Sequence, residues 1–247
     1  MSEQSTGGAA TPLVHEIKSA AGERVHRYRS LRILTYATIA LVGLNAIALA
    51  SQLVALGGRL SLLAEVVRGV SGSTLSEAAQ SSDRFVAAAA VWSLITLVPA
   101  YIVGAVWLYN AACNIRALGA RGMQISPGWT VGWFAVPLAS LFMPFQGVEE
   151  IYLASGSPAG WKKLKTPVLL RFWWGAWLIA GFGGYILGII ARALTTPSDL
   201  IIGTQLLMAD VSVSLTCSAL FMVIVWQVFS AQTHSRMTVQ ATAQVFA

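Results

Sequence analysis

The stretch that decides the fold is FVAAAAVWSLITLVPAYIVGAVWLYNAACNI, residues 85–115, which contains no Asp, Glu, Lys or Arg. Four further charge-free runs occupy residues 33–58, 122–148, 172–191 and 211–235. A bilayer core takes about 20 apolar residues per helix, so each run is long enough to be considered as a membrane span. The sequence therefore predicts an all-α fold, a polytopic membrane helix bundle.

The composition of the chain agrees with this fold class. Apolar residues make up 56% of the sequence and charged residues only 11%, whereas a soluble domain carries about 25% charged residues. Such a composition excludes an ordinary soluble globule, a disordered chain and a disulfide-rich secreted module. The net charge of +6 is explained by basic loops on the cytoplasmic side of a membrane. The predicted partners are membrane lipids and other membrane proteins or the protein itself, and not nucleic acid.

The third charge-free run decides the number of spans. Its central part, WTVGWFAVPLASLFMPFQ at residues 129–146, contains Pro137 and Pro144, and each proline kinks a helix and removes a backbone donor. Four spans with a cytoplasmic N-terminus place twelve of the sixteen basic residues in the cytoplasm, whereas five spans place eight on each side. The positive-inside rule favours four spans. The kinked run then either re-enters the membrane or lies in its inner interface.

This reasoning predicts a multi-pass protein of the bacterial inner membrane with both termini in the cytoplasm. Its parts are a disordered tail (1–12), a cytoplasmic amphipathic segment (13–32), a membrane domain (33–231) and a C-terminal tail (232–247). Within the membrane domain we expect spans at about 33–57, 84–110, 168–191 and 204–229, and a kinked segment at 127–152. Residues 59–84 are expected to form an outer loop with a short helix. Gly119 or Gly122 should end the second helix, and Ser126-Pro127 should begin the kinked segment.

Polar side chains cluster at the cytoplasmic end of the second predicted span. Asn110, Asn114 and Arg116 lie there, close to Trp107, and Gln146, Glu149 and Glu150 close the kinked segment. If that segment folds back under the second helix, an arginine can pair with Glu149 or Glu150. Two interpretations stay open: a polar site for a headgroup, ion or partner, or a brace for the proline-broken backbone. The tryptophans expected as interface anchors are Trp107, Trp129, Trp133 and Trp161.

Asp210 is an ionisable residue inside the fourth predicted span, which makes it a candidate functional residue. It should lie about 10 Å inside the outer boundary, where it can also reach interfacial water or pair with Arg192. In the third span, Gly184 and Gly188 form a small-xxx-small pair. Two interpretations stay open: a site of close approach for another helix, or the ordinary glycine frequency of membrane helices.

The sequence offers no arrangement typical of catalysis or of cofactor binding. The histidines, His15, His26 and His234, lie outside the spans and have no second metal ligand at a useful spacing. A positioned nucleophile and a phosphate-binding loop are also missing from the pattern. We therefore expect no enzyme activity, no cofactor and no metal site.

One segment of the chain resembles a known family. The carrying residues are Trp107-Leu-Tyr-Asn-Ala-Ala-Cys-Asn114, Arg116-Ala-Leu-Gly119, Ser126-Pro-Gly-Trp129, Gly132-Trp-Phe134, Pro137, Phe142, Pro144, Gln146 and Glu150-Ile-Tyr-Leu-Ala-Ser155. They are similar to the bacterial integral membrane proteins of domain-of-unknown-function family 4328. The resemblance implies a kinked run flanked by membrane spans, and it implies no reaction. The family tends to carry arginines where this chain has Asn110 and Cys113.

Two functions remain from the sequence. The first is a non-enzymatic accessory or scaffold subunit that packs against other membrane proteins. The alternative is a small transporter, channel or lipid-binding protein, because broken backbone at membrane depth often lines a cavity. Asp210 or Glu149 would be its coupling group.

Overall fold

The structure, a computed structural model, describes residues 28–191, 194 and 196–245. The predicted tail at 1–12 and most of the predicted amphipathic segment at 13–32 lie outside these residues, as do His15, His26 and Arg192. The described part is helical and contains no strand. Its α-helices are α1 (Arg32–Val67), α2 (Ser73–Ala117), α3 (Pro127–Gly132), α4 (Met143–Gly156), α5 (Val168–Ala191) and α6 (Pro197–Val245).

Four of the described helices are long and apolar enough to cross a membrane. They are α1, α2, α5 and α6, which confirms the predicted all-α bundle with four candidate spans. Helix α1 packs between α2 and α6, and α5 packs mainly on α6. The buried apolar core gathers at the end of the bundle where α2 ends and α5 begins, around Trp107, Ile151 and Trp173.

Basic side chains mark the same end of the bundle, which we call the basic end. Nine of the described basic residues belong to it: Arg29, Arg32, Arg116, Arg121, Lys162, Lys163, Lys165, Arg171 and Arg236. The described basic residues of the opposite end are Arg59, Arg68 and Arg84. The beginning of α1 and the last turns of α6 both lie at the basic end, as an even number of crossings requires.

The outer loop expected at 59–84 is largely helical. Helices α1 and α2 extend through it and are separated only by a turn at residues 68–72, where Gly69 adopts a φ of 84°. Arg59 and Asp83 form an ion pair of 3.5 Å between the two extensions. The mixture of charges and serines marks the end of the apolar run, but it does not stop a helix. The expected C-terminal tail is likewise a continuation of α6 through Val245.

The predicted stops around the kinked segment are confirmed at Gly119 and Ser126. Gly119 has a φ of 91°, its N–H donates to Arg116 O, and the Ala120 N–H donates to Ile115 O. This pair of hydrogen bonds is a Schellman motif, which glycine favours. Ser126 Oγ accepts the Trp129 N–H, and Pro127 occupies the first helical position of α3.

The third charge-free run does not form a span. Between α3 and α4, the chain makes two 3₁₀ turns, Trp133–Ala135 and Ala139–Leu141, which are separated by Pro137. We call residues 127–142 the broken segment. Its Phe134 ring contacts Trp177, at a centroid distance of 5.6 Å. Trp177 lies nine residues into α5, so the broken segment reaches about 14 Å along that helix.

A buried amide links α1 to α2 in the apolar part of the bundle. Asn45 Nδ2 donates to Ser93 O at 2.9 Å and to Thr96 Oγ1 at 3.0 Å. Hydrogen bonds of this kind between membrane helices contribute about 0.6–2 kcal/mol. We therefore expect Asn45→Leu to lower the free energy of unfolding by about 1–2 kcal/mol, measured as a fall in Tm by tryptophan fluorescence in detergent.

Ser212→Ala is the matched control for this variant. Ser212 Oγ donates only to Met208 O of its own helix and faces outward, so the Tm of this variant should stay unchanged. Equal Tm values for the wild type and Asn45→Leu would contradict the proposed contribution of the amide.

Candidate functional site

The side-chain amide of Asn114 forms hydrogen bonds with the backbone just before α1. The Arg29 N–H donates to Asn114 Oδ1 at 2.9 Å, and Asn114 Nδ2 donates to Arg29 O at 2.8 Å. Asn114 Nδ2 also donates to Gln232 Oε1 at 3.1 Å. Asn114 is fully buried. One amide therefore joins α2 to the residues before α1 and to α6.

Gln232 extends this polar cluster to α4. Its Nε2 donates to Ala111 O at 3.2 Å and to Ser155 Oγ at 3.0 Å. Ser235 Oγ donates to Ser155 O at 2.9 Å. Gln232 and Ser155 are both fully buried. Since internal partners take up these donors and acceptors, the cluster braces three helices. Among the described residues, it makes no hydrogen bond to the proline-broken backbone, which is where the sequence placed a brace.

Glu150 and Arg116 both bind the backbone between α2 and α3. The Glu150 carboxylate accepts the Gln124 N–H at 2.9 Å and the Ile125 N–H at 3.3 Å. Arg116 donates to Ile125 O at 2.6 Å and to Ala112 O at 2.7 Å. The expected pairing of Arg116 with Glu150 therefore runs through the loop and not through a direct salt bridge. Charged groups bind this backbone because charge-assisted hydrogen bonds are the stronger ones.

The remaining polar candidates have separate surroundings. Glu149 accepts a hydrogen bond from the Thr166 hydroxyl, and Asn110 donates to Val106 O of its own helix at 2.8 Å. Gln146 is exposed. The structure thus brings Asn114 together with Gln232, and Glu150 together with Arg116, and it leaves Asn110, Gln146 and Glu149 outside both groups.

The tryptophans predicted as interface anchors lie in two environments: two are on the broken segment and two are buried. Trp129 and Trp133 stack at 4.4 Å on the broken segment, and Trp129 is exposed, as an anchor requires. Trp107 is instead buried and donates to Thr35 Oγ1 at 3.0 Å. Trp161 is also buried and donates to Arg121 O at 3.1 Å. These two indoles join parts of the protein because their N–H groups find protein acceptors.

Asp210 lies in a second region, far from the basic end. It lines an open groove of about 270 Å³ between α5 and α6, together with apolar side chains such as Ile186, Leu206 and Val213. A methyl group on Gly183 would lie 3.1 Å from Asp210 Oδ1, and one on Gly184 would lie 3.4 Å from Oδ2. The glycines therefore make room for the carboxyl group. Gly188, the other member of the predicted small-residue pair, has open space beside it.

The carboxyl group in this groove lacks a partner on one side. Asp210 Oδ1 is inaccessible to solvent and has no hydrogen-bond partner among the described residues. Arg192, the partner considered from the sequence, is outside that part of the chain. In the described residues, no three His, Cys, Asp or Glu side chains come together as a metal site.

Sequence reasoning missed Gln232 and Asn45, and the same signal could have found both. Val225, Val228 and Gln232 follow one another at spacings of three and four, and all three are buried on one face of α6. Asn45 follows Val42 at a spacing of three on the buried face of α1. A polar residue in register with buried apolar residues is a candidate for a hydrogen bond between helices.

These features define a helical protein of the membrane type, with four candidate spans and a proline-broken segment braced at one end. A family model described as Domain of unknown function (DUF4328) matches residues 71–230. The chain belongs to this family, as the resemblance at residues 107–155 indicated. No curated protein and no solved structure matches the chain.

The brace at Asn114 can be tested by removing its amide. Asn114→Leu removes both hydrogen bonds to the Arg29 backbone and leaves the buried side-chain oxygen of Gln232 without its donor, so we expect a loss of about 2–3 kcal/mol in the free energy of unfolding. Asn110→Leu is the control, because the Asn110 amide bonds only within its own helix and should contribute less than about 1 kcal/mol. Denaturant unfolding in micelles measures both losses, and equal losses would contradict the brace.

The loop between α2 and α3 should depend on the charge of Glu150. Glu150→Gln keeps the shape but turns one acceptor into a donor that faces a backbone N–H. We expect a loss of about 1–3 kcal/mol in the free energy of unfolding and faster trypsin cleavage after Arg121. Glu149→Gln should leave cleavage unchanged, since its oxygen can still accept from Thr166. Identical cleavage rates in the two variants would refute this role of Glu150.

Proposed function

We propose that this protein is a non-enzymatic accessory or scaffold subunit that packs against another membrane protein through its broken segment. One observation carries the proposal. Leu138 has a φ of 64°, and it is 79% exposed, while Phe142 is 66% exposed. Irregular backbone at membrane depth is tolerated where protein or water covers it, and not where it faces lipid. A partner protein supplies that cover.

The inner side of the broken segment is already covered by this chain. Phe134 packs on Trp174 and Trp177, and Trp174 Nε1 donates to Leu141 O at 3.2 Å. The segment is therefore held in place against α5 while its outer side presents Leu138 and Phe142. A rigid apolar surface with a few large side chains is the type of surface that protein partners use as a binding hot spot.

The proposed orientation has the basic end in the cytoplasm of a bacterial cell, at the inner membrane. Nine of the described basic residues gather at that end and three at the opposite end, which is the distribution that the positive-inside rule describes. Both chain termini are then cytoplasmic.

The test is gentle detergent extraction from the native host, followed by size-exclusion chromatography and mass spectrometry of the eluted complex. We expect the 26.2 kDa chain to elute together with a second membrane protein. Leu138→Gly should reduce the amount of this partner about tenfold or more, because it removes the exposed side chain. Glycine also tolerates the positive φ, so the variant should keep its fold.

Ile33→Ala is the matched control, since Ile33 is 83% exposed and lies at the basic end on α1. The Ile33→Ala variant should elute with the same amount of the partner protein as the wild type. A wild-type chain that elutes without any other protein would refute the accessory role.

A second candidate, lipid binding, is favoured by one groove. An open groove of about 350 Å³ lies between α4 and α6 at the basic end and is lined by Tyr152, Trp226 and Gln227 among others. Tyr152 Oη donates to Gln227 Oε1 at 2.5 Å. Burial raises the pKa of Tyr152, so the phenol remains a donor at neutral pH. A phospholipid that co-purifies with the wild type and is lost in Tyr152→Phe would support this function.

A further inference from the structure

We propose that two loops at the basic end together bind the headgroup of an anionic phospholipid. The loops are residues 118–126, between α2 and α3, and residues 157–167, between α4 and α5. Their exposed basic side chains, with the one on the first turn of α5, form what we call the headgroup cluster: Arg121, Lys162, Lys163, Lys165 and Arg171. The site is separate from the broken segment, and none of its residues lines the groove beside Tyr152.

The two loops are held against each other by Trp161 and Lys162. Trp161 is buried, and its Nε1 donates to Arg121 O at 3.1 Å. The Lys162 ammonium lies 5.6 Å from the centre of the Trp161 ring. It also lies against the backbone of Gly122, where a methyl group would collide with it. Gly122 directly follows Arg121, so positive charges from two separate parts of the chain are brought together here.

The described chain does not neutralise this cluster. Within the described residues, the one salt bridge lies at the opposite end of the bundle, between Arg59 and Asp83. Between residues 84 and 198, the chain has only two acidic residues, Glu149 and Glu150. Glu149 accepts a hydrogen bond from the Thr166 hydroxyl, and Glu150 is buried and accepts from the loop backbone. The basic charges of the cluster outnumber these carboxylates, and the excess attracts an anion.

Exposed apolar side chains place the cluster at the boundary of the membrane. Leu164, between Lys163 and Lys165, is 47% exposed. Phe172 follows Arg171, begins the charge-free run of α5 and is 67% exposed. Hydrocarbon therefore begins close to Phe172, and the lysines lie just outside it, where lipid headgroups are. Lysine stems cover apolar surface at such a boundary while the ammonium groups reach the headgroups, which favours a lipid over a soluble anion.

Photo-crosslinking in a lipid mixture tests the site. The full chain carrying Phe172→p-benzoylphenylalanine is reconstituted in vesicles of equal amounts of phosphatidylglycerol and phosphatidylcholine with the same acyl chains. After irradiation, the lipid adducts are identified by mass. Because basic residues beside a membrane attract anionic lipid, we expect phosphatidylglycerol adducts to exceed phosphatidylcholine adducts about fivefold.

Phe85 is the matched control position at the opposite end of the bundle. Like Phe172, it is exposed, follows an arginine and begins a charge-free run. Phe85→p-benzoylphenylalanine should give about equal amounts of the two adducts, because no second loop adds basic side chains to Arg84 in the described structure.

Charge variants made in the Phe172→p-benzoylphenylalanine chain test the lysines themselves. Lys162→Gln, Lys163→Gln and Lys165→Gln combined should bring the two adducts at residue 172 to about equal amounts. All three side chains are exposed, so the fold should be kept. The same three positions changed to arginine keep the charge, and this variant should keep the excess of phosphatidylglycerol.

Several results would overturn the proposal: equal adducts or none at residue 172, an excess of the same size at residue 85, or an excess that survives the three glutamines. An excess at both ends would show attraction to surface charge in general and no built site. The accessory role is tested by co-elution of a second protein, so each proposal can fail while the other stands.

Discussion

The structure depends on hydrogen-bond partners for the backbone groups that lie outside its helices, as the bonds between the Asn114 amide and the Arg29 backbone illustrate. A backbone group that leaves a helix loses its helical partner, and here side chains of other helices supply a new one. Asn114 does this before α1, Glu150 and Arg116 do it between α2 and α3, and Trp174 does it for the broken segment. Most interruptions of the described helices lie at the basic end, and the core gathers there.

The sequence predicted the helices well, because membrane spans and helix ends are indicated by consecutive or neighbouring residues. The charge-free runs, the prolines of the third run, Gly119 and Ser126 each act through the residue itself or its near neighbours. Helix length was predicted poorly, since charged and polar residues end an apolar run without ending the helix. In α1 and α2, the turn at Gly69 and the Arg59–Asp83 pair decide how far the helices continue.

Polar residues were predicted more easily than their partners. Asn114 was predicted from its place at the cytoplasmic end of the second span and Glu150 from its place at the close of the kinked segment. The acceptors and donors they meet are backbone groups of Arg29, Gln124 and Ile125. Any residue type carries a backbone N–H and C=O, so no sequence pattern marks these partners. Trp107 was predicted as an interface anchor and is instead buried. An indole fits the membrane interface, but it fits a buried site equally well when a hydroxyl such as that of Thr35 accepts its N–H.

Asp210 shows what happens where the same constraint is not met within the described chain. Its unpartnered oxygen faces the upper part of α5, and the exposed side of the broken segment adjoins the lower part of the same helix. Helix α5 has the least buried apolar window of the four candidate spans. Both unmet requirements therefore lie along one helix, at different depths and with different chemistry, a carboxyl oxygen that needs a donor and an irregular backbone that needs cover. A single apolar neighbour would satisfy neither of them fully.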